Sequence, residues 1–253
     1  MDVAELFSLR GRTALVTGAR TGIGRAVAIG LGAAGADVVL LGRTDDLDEV
    51  EAEVRATGAD TTRVVLDLSD PDAVRPAITS LLAERQIDVL VNNAGMIHRE
   101  PAADLGLDQW RRVLSVNLDS AFALAQAVGR PMLARGRGKI INIASLLSFQ
   151  GGILVSGYTA SKHALAGLTK ALANEWAERG VQVNAIAPGY IRTNNTAPLL
   201  TDPEREPAIR SRIPAGRWGE PGDVVGAAVF LASSASDYVN GHTLVVDGGW
   251  LGR

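Results

Sequence analysis

Tyr158 and Lys162 are four residues apart in the run Tyr158-Thr159-Ala160-Ser161-Lys162, and Ser145 lies thirteen residues upstream. On a helix that spacing puts a phenol and an ammonium on one face. A free phenol titrates near ~10, too high for ready proton exchange at neutral pH. A neighbouring ammonium favours the phenolate, so the pair predicts a tyrosine tuned for general acid/base work. Taken alone, Tyr-x-x-x-Lys reads most simply as a surface tyrosine and a solvated lysine. Ser145, at the expected end of an apolar strand, adds a hydroxyl that can act on the same substrate oxygen and favours the chemical alternative.

A second group of residues forms an anion cradle. Thr17-Gly18-Ala19-Arg20-Thr21-Gly22-Ile23-Gly24 follows a short apolar run and opens a helical stretch. Glycine serves where a backbone turns tightly or must approach a pyrophosphate, and the helix start then offers free N–H groups to the anion. The strand–turn–helix context supports dinucleotide binding over a bare turn. Coenzyme choice is expected at the end of the next strand, where an acid would bind the ribose 2′-OH of NAD. That place is Gly42 in Val38-Val39-Leu40-Leu41-Gly42-Arg43. The acid is missing, Arg43 follows at once, and Arg20 lies in the glycine loop; guanidinium groups suit a 2′-phosphate. NADP is therefore favoured, with NAD as the alternative. Asp45 and Asp46 nearby oppose a phosphate, and the plain alternative for Arg43 is a solvated loop arginine.

Positioning these groups requires alternating strands and helices. Strands are expected at 13–17, 37–41, 63–66, 89–92, 139–144, 182–186 and 243–246. Helices are expected at 22–34, 47–56 and 71–85, with longer ones at about 107–134 and 158–179. The strands are near-continuous apolar runs, as in a parallel sheet covered on both faces. Repeated β-α-β units with right-handed crossovers predict an α/β Rossmann fold, a doubly wound parallel sheet flanked by helices, as one domain over 1–253. The polar stretch 193–214 is expected to act as a lid.

Composition narrows the chemistry. With 25 Lys+Arg against 28 Asp+Glu there is no basic excess for a nucleic-acid partner. The chain has no cysteine, which excludes disulfides, thiolate nucleophiles and Cys-ligated metal. His98, His163 and His242 stand at no metal-ligand spacing, so no metal is expected. The N-terminus lacks an apolar signal core, and the most apolar stretch, 26–41, contains Asp37 and several glycines. No membrane association and a cytoplasmic location are expected.

These motifs, in this order and over nearly the whole chain, resemble the short-chain dehydrogenase/reductase superfamily. The resemblance rests on Gly18, Gly22 and Gly24, Asn92-Asn93-Ala94-Gly95, Asn117, Ser145, Tyr158 with Lys162, and Pro188-Gly189 with Thr193. It implies hydride transfer between a nicotinamide and an alcohol or carbonyl. Tyr158 would exchange the proton and Ser145 would bind the substrate oxygen. Lys162 would hold the nicotinamide ribose, and Asn117 would anchor a water beside it. The cofactor would lie on Gly18, Arg20, Thr21, Gly22, Ile23 and Gly24, with Arg43, Asp67 and Leu68 at the adenosine. Asn93, Ala94 and Gly95 would line its middle, and Pro188, Gly189, Ile191 and Thr193 the nicotinamide. Asp67 has a second expectation, as a cap for the helix after Pro71.

The stretches 146–152, 193–196, 212–219 and 247–251 resemble a subgroup that oxidises or reduces sugar acids: gluconate, 2-deoxygluconate and 2-dehydro-3-deoxygluconate. A polyhydroxy carboxylate wants amides for its hydroxyls and a cation for its carboxylate. Gln150, Asn194 and Asn195 supply the amides and Arg99, beside His98, the cation, while Arg217 reads as structural. The nearest alternative is a 3-oxoacyl-carrier-protein reductase, which would need a basic patch for its acidic carrier. A non-catalytic NAD(P)-binding regulator is a further alternative, but such proteins usually lose the Tyr or the Lys. The resemblance also implies a homotetramer, with the two long helices pairing across one interface and the C-terminal strand and tail across another. Trp250 and Leu251 predict a buried tail.

Overall fold

Residues 2–253 are described by a computed structural model. The apolar runs form β1 (Thr13–Thr17), β2 (Asp37–Gly42), β3 (Thr61–Val65), β4 (Val89–Asn92), β5 (Gly138–Ile143), β6 (Val181–Pro188) and β7 (Thr243–Val246). All pair in parallel, in the order β3-β2-β1-β4-β5-β6-β7. The helices are α1 (Val3–Leu6), α2 (Gly22–Ala33), α3 (Asp48–Arg55), α4 (Val74–Glu84), α5 (Leu107–Leu114), α6 (Ser120–Arg135), α7 (Ser156–Trp176), α8 (Ala197–Leu200), α9 (Arg205–Arg210) and α10 (Val225–Ala232).

The alternating side chains of each strand separate into two apolar layers. Ala14 and Val16 of β1 pack with α2, α3 and α10, through residues such as Leu31, Val54 and Leu231. Leu15 packs on the other face with α4, α6 and α7, through Ile78, Leu124 and Leu172. Both faces are therefore dry, which explains why the strands lack a polar alternation. The expected doubly wound α/β fold is observed. The order in which strands are added reverses beside β1, which has β2 on one side and β4 on the other. At such a switch point the loops leaving the strand ends diverge and open a crevice.

Several boundaries differ from expectation for local reasons. β3 begins at Thr61 because that polar residue is held by Glu51, whose carboxylate accepts its hydroxyl at 2.9 Å. The helix expected from Pro71 starts as a 3-10 turn, Pro71–Ala73, capped by Asp70 through the Asp72 N–H. Asp70, not Asp67, is thus the cap. The long helix expected at 107–134 is interrupted by a π-helical turn, Ser115–Asp119, between α5 and α6.

α7 is seated on the sheet by buried polar contacts. Asn92 Nδ2 donates to Asn142 Oδ1 at 2.9 Å, and Asn142 Nδ2 donates to Thr169 Oγ1 at 2.9 Å. Such a ladder fixes the height of α7 over β4 and β5, because slippage would strand amides in an apolar interior.

Candidate active site

A cleft of about 510 Å³ opens where the loops after β1, β2, β4, β5 and β6 meet. Its first wall is the glycine loop. Gly18 and Gly22 both have left-handed backbones, with φ of 63° and 59°. Thr21, at the N-cap of α2, makes no side-chain cap, so the first N–H groups of the helix are left for another acceptor. The loop is tied to β4 by Asn93, whose Nδ2 donates to Thr17 O at 2.8 Å and Gly18 O at 3.2 Å. Gly24, expected on the cofactor, lies behind the loop instead. A Cβ there would sit 2.2 Å from Gly18 O and 2.4 Å from Asn93 Nδ2. Its smallness lets α2 close against the turn, and it is not among the cleft-lining residues.

At the adenosine end the cleft is lined by Arg20, Gly42, Arg43, Asp67, Leu68 and Arg112. The acid-bearing place is closed: a Cβ on Gly42 would meet Thr44 O at 2.9 Å. Arg20 is drawn to Asp46, 3.1 Å away, while Arg43 has no ion-pair partner among the described residues. Asp67 accepts the Ser69 N–H, and that bond, helped by Arg43 and Arg112, holds its carboxyl below the usual range. Arg112 carries no sequence motif and was not anticipated.

The catalytic group sits where β5 ends and α7 begins. Ser145 leaves β5 and caps the turn Leu146–Ser148, accepting the Leu147 N–H at 3.1 Å. Ser148 in turn donates to Lys162 O at 2.7 Å, locking the turn to α7. Tyr158 and Lys162 lie on one face of α7, as their spacing predicted. Their electrostatics differ from the expectation. Lys162 Nζ lies 5.5 Å from the Tyr158 ring centroid and donates to Ile143 O at 2.6 Å. It is 3% exposed, and burial pulls its value down to about 8. Burial raises the Tyr158 phenol; Ser145 and then Arg99 oppose the rise, and Lys162 does not. The ammonium is beneath the ring rather than at the hydroxyl, which is why same-face spacing did not translate into a lowered phenol.

Asn117 is presented by the π-helical turn and is buried. Its Nδ2 donates to Met96 O and Ser161 Oγ, both at 3.0 Å, and its Oδ1 accepts the Met96 N–H at 2.8 Å. Both amide protons are thus committed to holding the strand exit at Met96 against α7. Pro188, Gly189, Ile191 and Thr193, with Asn93, Ala94 and Gly95, also line the cleft.

The far wall comes from 193–214 and from the segment after β4. Asn194, Asn195 and Arg99 line it, with Arg99 Nη2 donating to Asn195 O at 2.7 Å. Gln150 does not. Its Oε1 accepts the Trp250 indole N–H at 3.2 Å, and Gly151, Gly152 and Ile153 face the cleft in its place. The reason is the C-terminal tail: Trp250 is buried against Tyr190 and Trp218 in this chain's own apolar cluster and draws Gln150 to it. Tyr190 and Arg205 also line the cleft and were missed. Arg217 is structural, as read, paired to Asp223 at 2.7 Å. Among the described residues no cluster of His, Asp and Glu could hold a metal, and no helix is long and apolar enough to cross a membrane.

A parallel doubly wound sheet, a glycine loop at its switch point and a Ser–Tyr–Lys group at the end of β5 define a nucleotide-dependent oxidoreductase scaffold. A family model described as enoyl-(acyl carrier protein) reductase matches residues 18–251, and the chain belongs to the short-chain dehydrogenase/reductase family. It is 60% identical over 249 residues to the 2-dehydro-3-deoxy-D-gluconate 5-dehydrogenase of Bacillus subtilis, covering 98% of each chain. A candidate NAD(P)-dependent gluconate 5-dehydrogenase from Beutenbergia cavernae, with NADP bound at low occupancy, is 56% identical. It superposes with a TM-score of 0.96 over 98% of this chain and 100% of that one. A gluconate 5-dehydrogenase from Burkholderia cenocepacia, in complex with NADP and tartrate, is 42% identical with a TM-score of 0.96 over 100% of both.

Proposed function

We propose that this protein is a dehydrogenase/reductase of sugar acids that uses NADP in preference to NAD. The carrying observation is that one cleft brings Ser145 and Arg99 to bear on the same phenol, Tyr158. That combination offers a proton donor, a hydroxyl partner for the reacting oxygen and a cation for a carboxylate. The relatives named for 2-dehydro-3-deoxy-D-gluconate and gluconate support this substrate class, and those carrying NADP support the coenzyme.

The cleft fits a dinucleotide phosphate. Gly18 and Gly22 let the backbone approach a pyrophosphate, and the uncapped start of α2 offers N–H donors to it. Arg43, without a carboxylate partner, is available to a 2′-phosphate where Gly42 leaves no acid to repel it. When bound, the nicotinamide gives or takes the hydride. The protein's own contribution is to orient and to move a proton. Tyr158 enters protonated, because burial raises it, and so is ready to give its proton to a ketone oxygen held also by the Ser145 hydroxyl. In the reverse direction it must accept that proton, and Ser145 and Arg99 stabilise the phenolate. Lys162 fixes the ribose from below, and Asn117 holds the wall at Met96. The 193–214 segment covers the carboxylate end as a lid, with Asn194 and Asn195 toward the hydroxyls. The protein works as a cytoplasmic homotetramer in this proposal; exposed Phe122 on α6 and Leu107 on α5 are apolar surface for pairing.

The test is absorbance at the reduced-nicotinamide band with gluconate, 5-ketogluconate, 2-deoxygluconate and 2-dehydro-3-deoxygluconate, run in parallel with NADP(H) and NAD(H). Turnover of one member, faster with the phosphorylated coenzyme, is expected. Silence on all four, with turnover of an acetoacetyl thioester, would overturn the substrate class and favour the acyl-carrier alternative.

A further inference from the structure

We infer that Arg205, the first residue of α9, is a second anchor for the substrate's carboxylate and acts together with Arg99. The inference rests on the sugar-acid proposal for the identity of the substrate. Its own ground is the arrangement of charge in the far wall. Both arginines line the cleft. Arg99 has a single side-chain acceptor, the neutral Asn195 carbonyl at 2.7 Å. The Arg205 side chain has no hydrogen-bond or ion-pair partner among the described residues, whereas Arg20, Arg25, Arg63, Arg192, Arg210 and Arg217 each sit on a carboxylate.

Arg205 stands close enough to Asp202 to help hold that carboxyl low, but neither Asp202, the adjacent Glu204 nor Glu206 forms an ion pair with it among the described residues. Asp202 Oδ1 accepts the backbone N–H groups of Glu204 and Arg205, at 3.0 and 2.9 Å. Glu206 Oε1 accepts from Arg210 at 3.0 Å and from the Trp218 indole at 3.2 Å. That second bond, with Ile209 buried in the cluster of Trp218 and Trp250, docks α9 on the body of the protein. Arg205 is therefore half-buried on a fixed helix and does not swing on a free loop.

Two like charges on one cleft wall repel, and the Arg99 guanidinium is pushed down by burial first and by Arg205 second. An anion placed to meet both relieves the repulsion and fills two planar forks whose geometry matches a carboxylate. The 193–214 segment carries both Asn195, which holds Arg99, and Arg205 itself. A bound carboxylate consequently ties that segment to the residues after β4, and substrate charge is linked to the position of the segment. A neutral ketone of the same size gains neither contact.

The experiment compares wild type with Arg205→Gln and Arg205→Lys. Steady-state reduction with NADPH is measured for 5-ketogluconate and for a neutral ketohexose. Calorimetry measures the binding of gluconate and of tartrate to the NADPH complex, where neither is turned over, and NADPH affinity reports that each variant is folded. Arg205→Gln should raise KM for the keto acid, and weaken gluconate and tartrate, by about tenfold or more. Its kcat/KM for the ketohexose and its NADPH affinity should stay within about twofold, and Arg205→Lys should recover part of the loss. Unchanged KM and anion binding would overturn the inference, as would an equal loss on the acid and the neutral ketone, which marks a merely structural residue. Should wild type reduce no sugar acid, the proposed function fails and tartrate binding alone decides: weakening in Arg205→Gln sustains the two-arginine site, and no weakening ends it.

Discussion

Replacing Lys162 by Met should abolish turnover and yet make the protein more stable at neutral pH. In the folded chain Lys162 is pulled from its ordinary 10.5 down to about 8 by burial alone. At 1.36 kcal/mol per unit, that depression corresponds to about 3 kcal/mol of folding free energy spent on keeping the ammonium charged inside. Methionine has a similar length and carries no charge. Its cost is the lost charge-assisted bond to the buried Ile143 O, about 2 kcal/mol. The net gain of about 1 kcal/mol raises Tm by roughly 2–4 °C for a chain of this length. The sign with pH follows from the direction of the shift. Below about 8 the lysine is charged in both the folded and unfolded chain, and the folded state bears the whole cost. Between about 8 and 10.5 the folded chain releases the proton while the unfolded chain keeps it, so wild-type stability rises with pH. Thermal or urea unfolding of both proteins, without nucleotide, from pH 7 to 10.5 reads the difference. The advantage of the variant should be full at pH 7 and shrink across that window. A variant that melts below wild type at pH 7, or a gap that does not change with pH, would refute the buried-charge account.

Three further outcomes can be checked directly. Tyr158→Phe removes the proton donor and keeps the ring, so kcat should fall by about 10²–10⁴ with NADPH affinity unchanged by equilibrium fluorescence titration. Arg43→Ala should weaken NADPH by about tenfold, the worth of a charge-assisted contact, and leave NADH nearly untouched; equal losses would remove Arg43 from coenzyme choice. Gly24→Ala must push Cβ into Gly18 O and Asn93 Nδ2, and should lower stability by about 1–3 kcal/mol while weakening both coenzymes together.

What the sequence disclosed, and what it did not, follows from the range of the interactions concerned. Apolar runs and helical periodicity are local, so all seven strands and the order of the layers were legible, with errors of a residue or two where a polar side chain such as Thr61 extends a strand. The glycine loop, Ser145, Tyr158 and Lys162 were legible because turn geometry and helix spacing are also local. Burial is a property of the assembled fold, and four-residue spacing says nothing about whether Lys162 ends at the phenol or beneath it. Gln150 was misplaced because its partner, Trp250, is a hundred residues away in the chain. The π-helical turn at Asn117 has no composition signature; it shows only in the backbone, where the Ser120 N–H donates to Ser115 O. Arg205 was hidden in a polar stretch without a motif, and with Asp202, Glu204 and Glu206 all beside it in sequence, its lack of an ion pair shows only in the fold.

The charge balance of the chain and that of its cleft point in opposite directions. The net charge of −3 gives no general attraction to polyanions, yet Arg43, Arg99, Arg112 and Arg205 all line one cleft and none is ion-paired among the described residues. Screening over about 8 Å at physiological salt confines the field of these arginines to the cleft, so the surface acids neither cancel it nor recruit large partners. The two pairs also act on different groups: Arg43 and Arg112 on Asp67, Arg99 on Tyr158, and Arg205 on Arg99. A cleft with unpaired arginines in two separate groups fits a ligand set with a phosphate at one end and a small anion at the other. It fits poorly an acyl chain delivered by an acidic carrier, which would place its charge on the outer surface and its apolar part where Arg99 and Arg205 stand. The unpaired arginines of the cleft are the ones that an NADP–sugar acid pair would neutralise, so the repulsion of Arg99 by Arg205 and the unpaired Arg43 become selectivity for doubly anionic ligand pairs.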